Sequence, residues 1–306
     1  MYRILDCDGI DKKAVQALKD LGHEVVSKFY ELEDLKAKVK EFDVVIVRSA
    51  TKIRKETIDE AKTTGKLKLI IRGGVGLDNI DVTYARENGI VVSNTPNASS
   101  ASVAELAIGH MFSIARHLHA SNVTMRDGQW NKKQYKGIEL AGKKLGLIGF
   151  GRIAIETAKR ANALGMDVLY TNRSGKKEGY DEFTYMTMDD LLNDSDFVSM
   201  HIPFDKEKGA VIGKDEFAKM KDGVYLVNCA RGGVVCEKSL IEALDSGKVS
   251  AAAIDVFEEE PTKNNRLFTH TKVSLSPHVG ASTNEAQARV GTEIVTIIKD
   301  FFEGSK

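Results

Sequence analysis

No run of apolar residues in this chain is long enough to span a bilayer. Its longest stretches are of the size of AAAIDVF (251–257), against the roughly 20 residues that a spanning helix needs. The N-terminal MYRILDCDGIDKK alternates like a strand and carries acids, so it lacks the apolar core of a signal peptide. Cysteine is scarce. The three present (Cys7, Cys229, Cys236) are an odd number without zinc-ligand spacing, and they read as reduced thiols of a cytoplasmic protein. An excess of either charge is also missing: 44 basic residues meet 44 acidic ones, so no global field attracts nucleic acid or anionic lipid and any anion site must be local. The histidines offer no metal cluster, since His117 and His119 are two apart on an expected helix and face different ways. Internal repeats and low-complexity segments are absent as well.

What is present is a rhythm. The 306 residues suffice for two domains, and 42% apolar with 29% charged residues is ordinary for a globular chain. Short apolar runs (YRILDC, HEVVSKF, DVVIVRS, KLIIRG, IVVSN) alternate with helical patterns such as DKKAVQALKDLG and ELEDLKAKVKEF, the βαβ pattern of a parallel sheet covered on both faces. After the turn signal NTPN, residues 99–120 read as one long helix. A second set of strands follows (KLGLIGF, DVLYTN, DFVSMHI, VYLVNCA, VSAAAIDVF, KVSLSPH), with Thr187–Asp190 as a capping box between two of them. STNEAQARVGTEIVTIIKDFFEG closes the chain as an amphipathic helix. Two doubly wound α/β domains are expected.

KLGLIGFGRIAIETAKRANALG runs strand, tight turn, helix, with Gly149, Gly151 and Ala154 in the three positions of G-x-G-x-x-[G/A]. The first turns the chain, the second lets the backbone approach a pyrophosphate, and the third packs helix against strand; the helix N-terminus then offers N–H groups to phosphate. A plain tight βα turn is the alternative. The next strand ends at Asn172 and Arg173, where an NAD site ordinarily has a carboxylate for the ribose hydroxyls. Without that acid a 2′-phosphate meets no repulsion, and Arg173, Lys176 and Lys177 supply positive charge, so the segment leans toward NADP or use of both cofactors. The competing reading is a solvated basic turn in which Asn172 bonds the ribose of NAD.

Three further residues lie at or just past the ends of late strands: Arg231 in VNCARGG, Glu260 in DVFEEEP and His278 in SPHVGAS. A guanidinium grips a carboxylate and polarises the adjacent carbonyl, while an imidazole exchanges the proton of a 2-hydroxy acid. Unperturbed, it titrates near about 6.5, and an ionised Glu260 beside it favours the protonated form. Taken singly, each is more often a surface cation, a solvated acidic turn or a structural histidine. Together they suit hydride transfer to a 2-keto acid.

GFGRIA, NCARGG, DVFEEEP and SPHVGAS resemble the successive signatures of the D-isomer-specific 2-hydroxyacid dehydrogenases, and RSATK, GVGLDNID and NTPN are similar to its phosphoglycerate-acting branch. The resemblance covers essentially the whole chain. It implies that Arg231 binds substrate, that His278 is the acid/base and that Glu260 is its partner. It implies cofactor contacts at Val75, Arg152, Ile153, Asn172, His201, Ile202, Pro203, Cys229, Ala230, Asp255 and Gly280. It also implies a discontinuous flavodoxin-like substrate domain (1–97 and 283–306), a Rossmann cofactor domain (98–282), a cleft between them, and a homodimer or homotetramer in which Trp130, Lys132 and Lys133 approach the partner. Val75 and Ile202 stand where that branch often carries threonine, and the NRS turn is nearer to NADPH-using glyoxylate and hydroxypyruvate reductases. Because the chain stops at Lys306, no serine feedback site of the kind borne by a C-terminal extension is expected. For a phosphorylated 2-hydroxy or 2-keto acid the candidate contacts are Arg48, Lys52 and Arg72, with the Gly73–Gly74 amides as further donors. An unphosphorylated acid, and a non-enzymatic dinucleotide-sensing relative of the corepressor type, are the competing readings.

Overall fold

The eleven apolar runs form eleven of the twelve strands among the described residues, and the reason lies in their burial. In VVIV (44–47) and FVSM (197–200) every residue is buried, as befits parallel strands covered on both faces. The computed structural model describes residues 1–304. It divides into two units, Met1–Ser99 with the segment from Ala281 onward, and Ser100–Gly280.

The first unit holds β1 (Arg3–Asp6), β2 (Glu24–Ser27), β3 (Val44–Val47), β4 (Leu69–Arg72) and β5 (Val91–Asn94) in the order β2-β1-β3-β4-β5, all pairs parallel. The helix Lys12–Asp20 starts where the Asp11 side chain accepts from the Lys13 amide, and it buries Ala14 and Leu18. The final helix, Asn284–Glu303, is capped by Thr283, which accepts from the Ala286 amide. Its Val290, Ile294 and Ile298 pack on Ile4, Ile46 and Ile71 of this sheet, which is why the end of the chain belongs to the unit at its beginning.

The second unit holds β6 (Lys144–Ile148), β7 (Asp167–Thr171), β8 (Thr184–Tyr185), β9 (Phe197–Met200), β10 (Val224–Asn228), β11 (Val249–Ile254) and β12 (Val273–Leu275), again all parallel, in the order β12-β11-β10-β9-β6-β7-β8. Strand order reverses between β6 and β9, and a crevice for a ligand is expected beyond the carboxyl ends of strands at such a point. One face packs Leu145, Leu147 and Val227 against Val103, Ala107 and Met111 of the helix Ser100–Ala115; the other packs Ile148, Val198 and Leu226 against Leu240 and Leu244.

Two local expectations need correction. The helix read over 99–120 is broken: Ser100–Ala115 and Leu118–Arg126 are separate, with His117 between them at φ 54°. The Ala115 carbonyl accepts from Ile138 instead of continuing the helix, and Gly137 passes so close that a Cβ there would lie 2.4 Å from that oxygen. The capping box at Thr187 is half formed. Its hydroxyl accepts from the Asp190 amide, but the Asp190 carboxylate accepts from that same hydroxyl instead of the Thr187 amide. β8, only two residues long, carries too little pattern to be read from sequence. Among the described residues no acid, histidine and cysteine group could hold a metal, and no helix is long and apolar enough to cross a membrane.

Candidate active site

β6 ends in a turn that treats its two glycines differently. Gly149 sits at φ 90°, and a Cβ there would lie 2.5 Å from the His201 carbonyl oxygen and 2.6 Å from Ile202 Cγ2. Only glycine lets the turn after β6 press against the segment after β9. Around Gly151 the space is open, with no atom within 4 Å of where a Cβ would be. Gly151 precedes the helix Arg152–Ala163 without any side-chain cap, leaving the first helical N–H groups to face that space. Ala154 is fully buried, as close helix–sheet packing requires. This cradle fits a dinucleotide pyrophosphate. Arg152 is exposed and Ile153 is half-buried against the core.

At the end of β7 the Asn172 amide donates to Ser174 Oγ at 2.8 Å. Of the nearby cations, Lys176 pairs with Asp181 at 2.7 Å and Lys177 lies over the Tyr180 ring, whereas exposed Arg173 has no ion-pair partner among the described residues. Beyond β9, Ile202 is half-buried and Pro203 exposed. His201 bonds Ser199 through Nε2 at 3.0 Å, and burial pushes its imidazole down to about 4. Cys229 is part of the core, and burial pushes its thiol up, so this cysteine is inert.

Arg231 rides a turn built by Asn228 at the end of β10. The Asn228 carboxamide oxygen accepts from the Ala230 amide at 3.1 Å and its NH2 donates to the Arg231 carbonyl at 3.0 Å. The Arg231 guanidinium donates to the Ala230 carbonyl at 2.6 Å. Next to it, a Cβ on Gly232 would fall 1.6 Å from the Phe257 carbonyl oxygen, so the Arg231 turn rests directly on the backbone leading to Glu260. One Glu260 oxygen accepts from the Phe257 amide at 3.1 Å, and the other lies 2.8 Å from His278 Nδ1. Burial pushes the Glu260 carboxyl up, but the His278 hydrogen bond and charge, the Phe257 amide and the Arg231 charge outweigh it, holding the group below its ordinary range. With Nδ1 engaged, Nε2 is the His278 nitrogen left to exchange a proton.

His278 stands at φ 53°, a conformation that costs a non-glycine residue about 1–3 kcal/mol unless its surroundings impose it. Asp255 imposes it. The Asp255 carbonyl accepts from the His278 amide at 2.8 Å; its Oδ1 accepts from Val279 N at 2.9 Å and Ser276 Oγ at 2.6 Å, and its Oδ2 from Gly280 N at 3.0 Å. Asp255, expected at a nicotinamide amide, thus has three of its roughly four acceptor positions filled by the loop that carries His278. Buried Gly280 has its N–H on the same carboxylate.

In the first unit, β3 and β4 pair with Val47 opposite Arg72, and a Cβ on Gly73 would touch Arg48 Cγ at 3.4 Å, so the Arg48 side chain lies beside Gly73. The Arg72 guanidinium lies across Gly74. The Gly73 and Gly74 amides, expected as anion donors, are instead engaged at 2.8 Å by the Val47 carbonyl and at 2.9 Å by the Arg72 carbonyl; the strand-end geometry turns them inward. The Val75 carbonyl accepts from Asn94 at 2.5 Å. Lys52 is exposed. Sequence reading missed Asp8, whose carboxylate accepts from Arg48 N (2.6 Å), Thr51 N (3.1 Å) and Thr51 Oγ1 (2.5 Å) and so shapes the Arg48 loop. It also missed Asn228 and Ser276; an asparagine at a strand end before a turn was the available signal for the former.

The family described as D-isomer specific 2-hydroxyacid dehydrogenase, NAD binding domain, matches residues 108–280. The chain belongs to this dehydrogenase family. A hydroxypyruvate reductase of Thermotoga maritima is 47% identical over 96% of this chain and 96% of its own length. A D-3-phosphoglycerate dehydrogenase of Methanocaldococcus jannaschii is 44% identical over 99% of this chain, which spans 58% of that relative's length. Among solved structures, a glyoxylate reductase from Paecilomyes thermophila superposes with a TM-score of 0.90 at 32% identity, covering 99% of this chain and 96% of its own. The second unit of this chain is therefore an NAD-binding domain of that family, and the cofactor it holds is a nicotinamide dinucleotide.

Proposed function

We propose that the protein is a D-3-phosphoglycerate dehydrogenase, interconverting 3-phosphoglycerate and 3-phosphohydroxypyruvate. The nicotinamide, when bound, supplies or accepts the hydride at the substrate C2. The chain does the rest. Arg231 holds the carboxylate and polarises the carbonyl. His278 delivers the proton to the developing alkoxide from Nε2 and recovers it in the oxidation direction, while Glu260 fixes the ring from Nδ1. What supports the phosphorylated substrate is that the neighbouring strands β3 and β4 each lead into an arginine, Arg48 just past β3 and Arg72 at the end of β4, where a single one would suffice for an unphosphorylated acid.

A second reading, an NADPH-dependent hydroxypyruvate or glyoxylate reductase, is favoured by the Asn172–Arg173 turn and by the 47% identical relative. One experiment separates them: kcat/KM for 3-phosphohydroxypyruvate against hydroxypyruvate, following oxidation of the reduced cofactor. Preference for the phosphorylated acid by tenfold or more supports the dehydrogenase, since a satisfied phosphate contributes at least about 1.4 kcal/mol. Preference for hydroxypyruvate overturns it. No turnover of either would return the chain to the non-enzymatic reading.

The protein is further read as a homodimer. The helix Leu118–Arg126 buries none of its residues, and Val123 (58%), Met125 (51%) and Trp130 (78%) are exposed in succession. Val123→Lys should convert a sedimenting dimer to monomer; an unchanged sedimentation coefficient, or a wild-type monomer, refutes this.

A further inference from the structure

The buried histidine His110, on the inner face of the helix Ser100–Ala115, has no part in the chemistry described so far. A lone buried histidine is ordinarily a satisfied core residue. This one is the middle of a directed chain of hydrogen bonds. A carboxylate only accepts, so Ser276 must donate its hydroxyl proton to Asp255 Oδ1 across 2.6 Å. The Ser276 oxygen is then free to accept, and His110 Nε2 lies 2.8 Å from it. The ring proton therefore sits on Nε2. Nδ1 is left as an acceptor for Ser274 Oγ at 3.3 Å, which in turn lies 3.0 Å from Ser113 Oγ. Burial lowers the affinity of the His110 ring for a second proton; the Asp255 charge opposes this and His119 adds to it, leaving the ring below its ordinary value. The neutral tautomer and the network agree.

The hydrogen-bond chain ends on Asp255, which organises the loop of His278. The hydrogen bonds that its carboxylate accepts from Ser276, Val279 and Gly280 all lie within Ser276–Gly280, and its carbonyl holds the His278 amide in the left-handed conformation. If Ser276 turned away, Oδ1 would lose its shortest hydrogen bond and the carboxylate could rotate off the Val279 and Gly280 amides. We propose that His110 is a positioning residue for His278, locking Ser276 onto Asp255 and thereby holding the acid/base imidazole in register with Glu260. The inference rests on the reading of His278 as the acid/base group.

The test compares His110→Leu, His110→Gln and Ser276→Ala with wild type, measuring kcat and KM for hydroxypyruvate, cofactor Kd by nucleotide fluorescence, and Tm. Displacing a proton donor by a fraction of an ångström lowers turnover roughly ten- to hundredfold without weakening ground-state binding. His110→Leu is thus expected to lose kcat on that scale, with KM and cofactor Kd within about twofold of wild type. His110→Gln, whose amide can donate to Ser276 and accept from Ser274, should recover most of the loss. Combining His110→Leu with Ser276→Ala should cost no more than the worse single change, because both break one chain. A His110→Leu kcat within twofold of wild type overturns the proposal. So does a His110→Gln enzyme as slow as His110→Leu at equal Tm, or losses that simply follow Tm. If His110→Leu does not fold, His110→Phe, which likewise removes both ring nitrogens, makes the same comparison with His110→Gln. His278→Gln separates the two layers: wild-type turnover in that variant removes the acid/base reading, whereas an inactive His278→Gln with a fully active His110→Leu removes only the role of His110.

Discussion

The two glycines of the dinucleotide turn should fail in opposite ways when each is replaced by alanine. At Gly149 the backbone is left-handed at φ 90°, which costs alanine about 1–3 kcal/mol. The new methyl would also lie 2.5 Å from the His201 carbonyl oxygen and 2.6 Å from Ile202 Cγ2, so the segment after β9 must shift, at about 1–3 kcal/mol more. The sum is about 2–6 kcal/mol. In a unit spanning Ser100–Gly280 this lowers Tm by about 4–24 °C. At Gly151 the backbone is extended (φ −85°, ψ −169°) and nothing lies within 4 Å of the methyl, so stability should stay within about 0.5 kcal/mol of wild type. That methyl would instead occupy the space where the pyrophosphate must approach, and NADH affinity should fall about tenfold or more. Thermal unfolding followed by circular dichroism and NADH titration by fluorescence measure both. Equal loss of Tm in the two variants would refute the packing argument, and unchanged NADH affinity in Gly151→Ala would refute the path of the pyrophosphate.

Three more outcomes follow from individual groups. Desolvation holds the half-buried His201 imidazole down to about 4, so the unfolded chain takes up that proton first as pH falls. Its contribution is intact above about 6.5, is lost progressively down to about 4 and amounts to about 1–3 kcal/mol; urea unfolding of His201→Asn should show a shallower dependence in that window, and an identical one refutes the assignment. Asp8→Ala removes three hydrogen bonds from the Arg48 loop and should cost about 2–4 kcal/mol of stability. If Arg48 binds substrate, the same variant raises KM for the keto acid while leaving cofactor Kd unchanged; the reverse pattern excludes Arg48 from that role. Asn172→Asp places a carboxylate where a 2′-phosphate would lie and should raise the NADH/NADPH ratio of kcat/KM by about tenfold or more, the scale of like charges a few ångströms apart; an unchanged ratio sinks the NADP-leaning reading.

The sequence by itself determined the features whose causes are local. Strands such as VVIV and FVSM, buried on both faces, announce a parallel sheet by composition alone. The Gly149–Gly151–Ala154 spacing fixes a turn, a cradle and a packing face within six residues. Arg231, Glu260 and His278 stand out as candidates at late strand ends by residue type alone. Tertiary structure decided everything that depends on a distant partner. The long helix stops at Ala115 because the Ile138 amide takes its carbonyl, and no pattern within 99–120 contains that information. The Gly73 and Gly74 amides are withdrawn from any ligand by carbonyls of Val47 and Arg72, and Asp8 reaches 40 positions along the chain to shape the Arg48 loop. His110 reaches 166 positions to Ser276. A hydrogen bond needs a donor and an acceptor within about 3 Å, a condition that residue type can permit but that only the packed sheets, by bringing remote strand ends side by side, can satisfy.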